Sequence, residues 1–432
     1  MAELKQSGID WIGEIPNNWE TRQIRYLFSL RDERNYKPLN EVNLISVYTD
    51  KGVLQHADIE QTTGNKAQNA DGYKHVYKND LVVNIILCWM GALGISDYDG
   101  VTSPAYDVYA PNDLNKVFPK YYHYLFRTPQ FNGKCYTEGR GIMQMRWRTY
   151  SSEFKSIKIP LPPLAEQKRI ADFLDKTCSE IDSIIDEAKK SIEEYKAWKQ
   201  SVIFEAVTGK NLDCKKKDSG IEWIGEIPDS WQIIKIKHLA TLAGRIGWQG
   251  LTSQEYSDEG AFLITGINFK NGNIDWESCV HVPYTRWEEA TQIQIENDDL
   301  LITKDGTVGK LAIVNGLPDK TTLNSGVMVI RQNKNNCTTK FLYYLLQSEV
   351  FWKWFNYINS GNSTIIHLYQ NDFLNFSFSL PSISEQKSIE KYLDKTCIQI
   401  DSTIMEKESL IEDLLEYKKS LIFEVVTGKR SV

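Results

Sequence analysis

Several polar side chains in this 432-residue chain are grouped as side chains that read base edges or hold phosphates would be. The densest group runs from Lys134 to Arg148, with Arg140, Gln144, Arg146, Trp147 and Arg148 in a loop opened by Gly139 and Gly141. An arginine guanidinium offers paired donors matched to guanine, and a glutamine amide can read adenine. Glycine lets the backbone come close to a groove. A second group, GRIGWQG, sets Arg245, Trp248 and Gln249 between glycines, and Lys304 begins a turn between two apolar runs. A third, NSGNSTIIH, supplies Asn362, Ser363, Thr364 and His367, polar groups without cations. The competing reading of each is a solvated loop, its tryptophan turned into the core.

Groups that would break or make bonds are missing. An amino-methyltransferase carries Asn or Asp before Pro-Pro-aromatic, and the only Pro-Pro here is LPPL at 161–164. GTVGK at 306–310 resembles a P-loop ending, but Lys304 stands where the first glycine belongs and no Ser or Thr follows Lys310. There is no GxGxxG unit and no GxSxG. The seven cysteines form no CxxC, and the six histidines have no metal-ligand spacing. The expectation is a chain with no catalytic residue, no metal and no cofactor of its own. A nuclease with an unfamiliar site is an alternative, open to a magnesium-dependent cleavage test.

The elements that must position those loops come in two copies. SGIDWIGEIPNNWE at 7–20 recurs as SGIEWIGEIPDSWQ at 219–232. Residues 166–210 align without a gap on 385–429, sharing LDKTC, IDS and VTGK. Each closing segment is helical. The first places apolar residues at Leu174, Cys178, Ile181, Ile185 and Ile192; the second at Leu393, Cys397, Ile400, Ile404 and Ile411. Steps of three and four make a narrow heptad seam, the pattern of a coiled coil. Lys199, Lys407 and Lys418 interrupt it. About 44 residues at about 1.5 Å each give rods on the order of 65 Å long. So narrow a stripe needs a partner helix, and the other copy is the nearest candidate. Pro162 and Pro163 suit the first helix start, Ser382 with Glu385 makes a capping box for the second, and Gly209 and Gly428 suit their ends.

The middle regions share an outline of short β-rich runs, an aromatic helical stretch (YYHYLFRTPQF, KFLYYLLQSEVFWKWF), a glycine-bearing loop and a final strand. The most apolar stretch, Leu81 to Ile95, is interrupted by Asn84, Gly91 and Gly94 and reads as buried strand and turn, not a membrane span. No signal-peptide layout opens the chain, so a cytoplasmic location is expected. The tryptophans at 11, 19, 223 and 231 repeat in both openings, which favours framework packing over base stacking.

The ordered double set of GEIP-x-x-W (13–19, 225–231), LP-x-x-x-EQ-x-x-I (161–170, 380–389) and VTGK resembles the DNA-specificity subunit of type I restriction–modification systems across essentially the whole chain. The resemblance implies a mixed α/β fold: two globular α/β target recognition domains separated by two long helices forming an antiparallel coiled coil, an internal repeat with a pseudo-twofold axis. The corresponding segments are 1–160 for the first recognition domain, 161–210 for the first spacer helix, 211–218 for a linker, 219–380 for the second domain and 381–432 for the second helix. It also implies that each domain reads half of a split DNA site, and that the helices dock two adenine-methyltransferase subunits using S-adenosylmethionine. Restriction subunits that use ATP and Mg to translocate and cleave DNA would join them. The competing class is a coiled-coil adaptor with two divergent protein- or carbohydrate-binding modules.

Charge is at odds with DNA binding by the chain alone. Its 50 basic and 57 acidic residues leave a net charge of −7. Residues 21–159 hold 18 basic against 14 acidic residues, whereas 233–380 hold 12 against 14. Phosphate clamping is therefore expected to come largely from partner subunits, with weak DNA binding by the isolated chain.

Overall fold

The computed structural model describes residues 3–58, 69–141, 147–333, 336–360 and 366–432, with the side chain of Trp248 outside the description. The chain divides into two compact units, Met1–Lys189 with Glu408–Val432, and Lys190–Lys407. Each unit therefore takes part of both long helices, Leu164–Thr208 and Ile383–Val426.

In the first unit a four-stranded antiparallel sheet runs in the order Phe28–Arg31, Tyr106–Pro111, Leu81–Asn84, Leu93–Ile95. The second unit repeats it as Ala240–Gly244, Val327–Gln332, Leu300–Thr303, Leu311–Ile313. The strands Leu81–Asn84 and Leu300–Thr303 are buried at every residue because each lies between two cores. Leu81 and Val83 face one cluster and Val82 another; Leu300 and Ile302 part in the same way from Leu301. An apolar run that does not alternate is the sequence mark of a strand covered on both faces. Between these strands the first unit inserts two antiparallel pairs, Ile45–Tyr48 with Gly52–Gln55 and Lys74–Val76 with Gly100–Thr102, and the second a three-stranded sheet, Val280–Val282, Ala261–Ile264 and Thr321–Leu323, whose last pair is parallel.

The aromatic helical stretch forms two helices in each unit. Thr128 caps Pro129–Glu138 after Pro119–Phe126, and Ser348 caps Glu349–Ile358 after Thr339–Gln347. Each hydroxyl accepts a backbone N–H of the new first turn, so a small polar residue inside an apolar run restarts the helix. The turn lets Tyr121, Tyr122, Phe126, Phe131 and Phe154 fill the first core, where the closest pairs meet edge-on or tilted.

The long helices close these cores. Leu421, Val425 and Val426 pack with Trp19 and Ile15 in the first unit; Val202, Ile203, Ala206 and Val207 pack with Trp231 and Ile227 in the second. Buried Trp19 and Trp231 are framework residues, as their repetition suggests. Both helices end alike. Gly209 and Gly428 take φ of +71° and +74°, and Lys210 and Lys429 donate backbone bonds to Glu205 and Glu424. This is the left-handed stop that returns two carbonyls to partners. The capping box is formed too, with Ser382 N donating to Glu385 Oε2 at 2.9 Å. Among the described residues no helix is long and apolar enough to cross a membrane.

Two stability measurements check this packing. A Cβ at Gly428 would lie 2.3 Å from Pro16 Cδ on a left-handed backbone, so Gly428→Ala should cost roughly 2 kcal/mol or more in thermal unfolding. Gly133→Ala, exposed within a helix and with nothing near its Cβ position, should be neutral or stabilising. Burial, with Arg127 alongside, lowers the His123 pKa to about 4. An unfolded histidine takes up its proton near pH 6.5, so stability present above that pH is lost as pH falls toward 4. Between pH 7 and 5 the loss should be about 2 kcal/mol in urea unfolding and should shrink in His123→Gln.

Candidate nucleic-acid interface

The loops are held by side chains of the repeated motifs. Gln167 is fully buried, accepts the Phe118 N–H at 2.8 Å and donates to the carbonyls of Lys116 and Pro162. Gln386 does the same with the Thr338 N–H and the carbonyls of Asn336 and Pro381. Asp175 accepts from the Tyr124 hydroxyl and pairs with Lys120; Asp394 accepts from Tyr344 at 2.6 Å and pairs with Lys340. The EQ and LDKTC blocks thus bind each module to the start of its long helix. This assignment was missed from sequence, where a glutamine in a charged segment reads as surface; only its exact recurrence signalled a task.

The seam residues Leu174, Cys178, Ile181 and Ile185 are buried in the first unit, where Ile411 is half-buried. Ile192, Leu393, Cys397, Ile400 and Ile404 are buried in the second. The interrupting lysines bridge helices. Lys418 Nζ lies 2.6 Å from Asp182 in the first unit, and Lys199 Nζ 2.7 Å from Asp401 in the second. Each aspartate belongs to an IDS block, so one repeated carboxylate meets one repeated ammonium. Lys407 lies over the Tyr195 ring.

One backbone hydrogen bond brings two loops together in each module. Thr149 N–H donates to Ile85 O at 3.0 Å, and Leu368 N–H donates to Lys304 O at 3.1 Å. The turn after the doubly covered strand thereby meets the segment just before the final strand. In the first module Arg140 and Arg148 exchange both backbone bonds. Trp147 stacks on Tyr136 at 5.0 Å and donates Nε1–H to its carbonyl. A Cβ at Gly139 would lie 2.4 Å from that nitrogen, which is why glycine is needed there. Lys134 pairs with Glu138 at 2.7 Å and Arg140 with Glu153, whereas among the described residues nothing pairs with the Arg148 guanidinium. Gln144 and Arg146 lie outside the described residues.

In the second module Lys304 and His367, 63 positions apart, share one surface. His367 Nδ1 is 2.5 Å from Asp305 Oδ1, and Tyr369 flanks the ring at 5.8 Å. The Lys304 ammonium is 3.5 Å from where a Gly244 Cβ would be. Asn362, Ser363 and Thr364 lie outside the described residues, as does the Trp248 side chain.

Arg245 and Gln249 need correction as candidate base-reading groups, because both are buried. Arg245 donates to Leu323 O at 2.7 Å, Thr322 Oγ1 at 2.9 Å and Gln249 O at 3.3 Å. Burial, with Arg286 nearby, lowers its pKa. Gln249 donates to Glu289 O and accepts from Gln292. A glycine-flanked arginine reads the same from sequence whether it faces inward or outward. The GTVGK segment is a turn between two antiparallel strands, with no helix to receive a phosphate. Among the described residues no three His, Cys, Asp or Glu side chains gather to hold a metal.

A duplicated module with unlike loops on a shared frame defines a two-part recognition protein. The profile of the type I restriction modification DNA specificity domain matches residues 16–194 and 228–412, and the chain belongs to that family. A Methanocaldococcus jannaschii chain, provisionally named as the specificity subunit of type I restriction enzyme MjaX, is 27% identical over 97% of this chain and 95% of its own. The EcoKI specificity subunit of Escherichia coli is 25% identical over 48% of this chain and 44% of its own. The fold matches that of the HsdS subunit from Thermoanaerobacter tengcongensis, with a TM-score of 0.55 at 15% identity, covering 96% and 98% of the two chains. A chain solved in a study of type I R-M complex assembly and conformational transition matches with a TM-score of 0.72 at 15% identity, covering 96% and 99%. Family membership does not favour the adaptor reading.

Removing the buried guanidinium by Arg245→Met should lower stability by roughly 2–3 kcal/mol, because Thr322 and the Leu323 carbonyl lose their donors. The DNA sequence recognised at a permissive temperature should stay the same, whereas a changed sequence would return Arg245 to the reading surface.

Proposed function

We propose that this chain is the sequence-specificity subunit of a type I restriction–modification complex, reading one half of a bipartite, asymmetric DNA site with each module and performing no chemical step itself. The observation that carries the reading is the repeated frame: the same glutamine clamp, aspartate anchor and loop-joining hydrogen bond support two loop sets of different chemistry. Modules over 1–160 and 219–380 are the readers. The helices of 161–210 and 381–432, with a linker at 211–218, are the spacer.

The helices act as an antiparallel pair that fixes the number of unread base pairs. Supporting this, Asp182–Lys418 and Asp401–Lys199 join residues in opposite sequence order. The pair docks two adenine-methyltransferase subunits, which hold S-adenosylmethionine. Restriction subunits hold ATP and Mg. These partners supply most of the phosphate contacts that the second module, with its acidic excess, does not, so the isolated chain binds DNA weakly.

Adding one helical turn to each rod adds about 5.4 Å to its length, roughly one to two base pairs of B-DNA. The complex should then methylate adenines at unchanged half-sites separated by a longer spacer, read by single-molecule sequencing of methylated DNA. An unaltered spacer would exclude the helices as the ruler, and loss of bipartite methylation by the unmodified complex would exclude the function.

A further inference from the structure

We propose that His367 reads the exocyclic amine of an adenine or cytosine in the second half-site, with Asp305 deciding which ring nitrogen meets the base; the inference rests on the DNA-reading function above. Nδ1 of His367 lies 2.5 Å from Asp305 Oδ1. A carboxylate only accepts, so in the neutral ring the proton sits on Nδ1 and Nε2 presents its lone pair. In the major groove an acceptor is matched by adenine N6 or cytosine N4, while guanine O6 and thymine O4 repel it.

The surroundings suit such a contact. The His367 side chain is 34% exposed, and Tyr369 limits its swing from one side. The backbone of the next residue is tied to Lys304, so the ring stands on a fixed base, and the Lys304 ammonium has no hydrogen bond or ion pair among the described residues. It is therefore available to a phosphate.

The repeat strengthens the argument. Thr149 and Leu368 make the equivalent backbone bond, so the residue before each occupies one framework position: Arg148 in the first module and His367 in the second. Arginine donates only. Asp305 follows Lys304 as Ile86 follows Ile85, so the first module has no carboxylate at that place. One position thus presents donors in one module and an oriented acceptor in the other. Arg148 fits guanine O6 and N7, and His367 fits an amine.

The experiment uses the full chain co-expressed with its methyltransferase subunits, with the methylated motif read by single-molecule sequencing. His367→Ala should lower methylation of the cognate site about tenfold and broaden one position of the second half-site only. Asp305→Asn places an amide that can either accept from Nδ1–H or donate to Nδ1, so the proton is no longer held on Nδ1 and Nε2 can also donate. At that same position and strand it should admit guanine or thymine where the unmodified complex takes an amino base. Arg148→Ala should instead broaden a G·C pair of the first half-site. If His367→Ala is inactive, His367→Asn keeps an acceptor oxygen and should restore methylation with the broadened position. An unchanged motif in His367→Ala, an inactive His367→Asn, or an Asp305→Asn that admits no keto base would overturn the proposal. If the unmodified complex methylates no bipartite site, the function itself fails and this inference with it, a distinct result.

Discussion

The burial of a helix end beneath a proline and a tryptophan is the constraint on which each unit depends. In the first unit Gly428 ends the second long helix against Pro16 and Trp19; in the second, Gly209 ends the first against Pro228 and Trp231. The apolar residues just before each glycine are almost wholly buried. Each such side chain contributes about 1.5–3 kcal/mol on leaving water. The first unit therefore completes its core with the last residues of the chain, and no linear cut after residue 189 yields that unit intact. A left-handed glycine is required at each end because the helix must stop within van der Waals reach of the proline ring.

Once helix ends and openings are fixed, the loops are free to differ. The glutamine clamps and aspartate anchors use main-chain carbonyls and N–H groups or framework Tyr and Lys, none of them in the reading loops. Each module inserts its own strands between the same four, two strand pairs in the first and a three-stranded sheet in the second, without disturbing their order. Specificity can therefore change at positions such as 148 and 367 without cost to the frame, because the bond that seats them comes from the backbone of the following residue.

Much of the architecture was legible in the sequence for physical reasons. The duplication, the long helices, their capping box and their glycine stops are local patterns, and local patterns survive without tertiary context. The break within each aromatic helical stretch has a local sign as well, since Thr128-Pro129 and Ser348 are helix-start residues. The reading surface was only half legible. Loop composition named Arg148, Lys304 and His367, yet only the fold shows that a backbone bond joins Lys304 to Leu368, that Asp305 meets the His367 ring and that Arg245 turns inward. Those facts depend on contacts across tens of residues, which spacing does not record.

The acidic balance of the second module ceases to be an anomaly when the chemistry of reading is separated from the chemistry of holding. Holding DNA takes cations against phosphates, is indifferent to sequence and weakens with salt. Reading an amine takes an acceptor, and acceptors that keep their orientation in a protein are carboxylates, carbonyls or a histidine fixed by a carboxylate. A module built to meet amines needs fewer cations for reading, and the second module differs from the first in that respect, with 12 basic residues in 233–380 against 18 in 21–159 and 14 acidic residues in each. Asp305 is the carboxylate that fixes such an acceptor, through its hydrogen bond with His367. The first module, whose candidates include Arg140, Arg146 and Arg148, carries the cations that the second lacks. The difference in charge between two modules on one frame is thus a difference in cations, the donors that an oriented acceptor does not need.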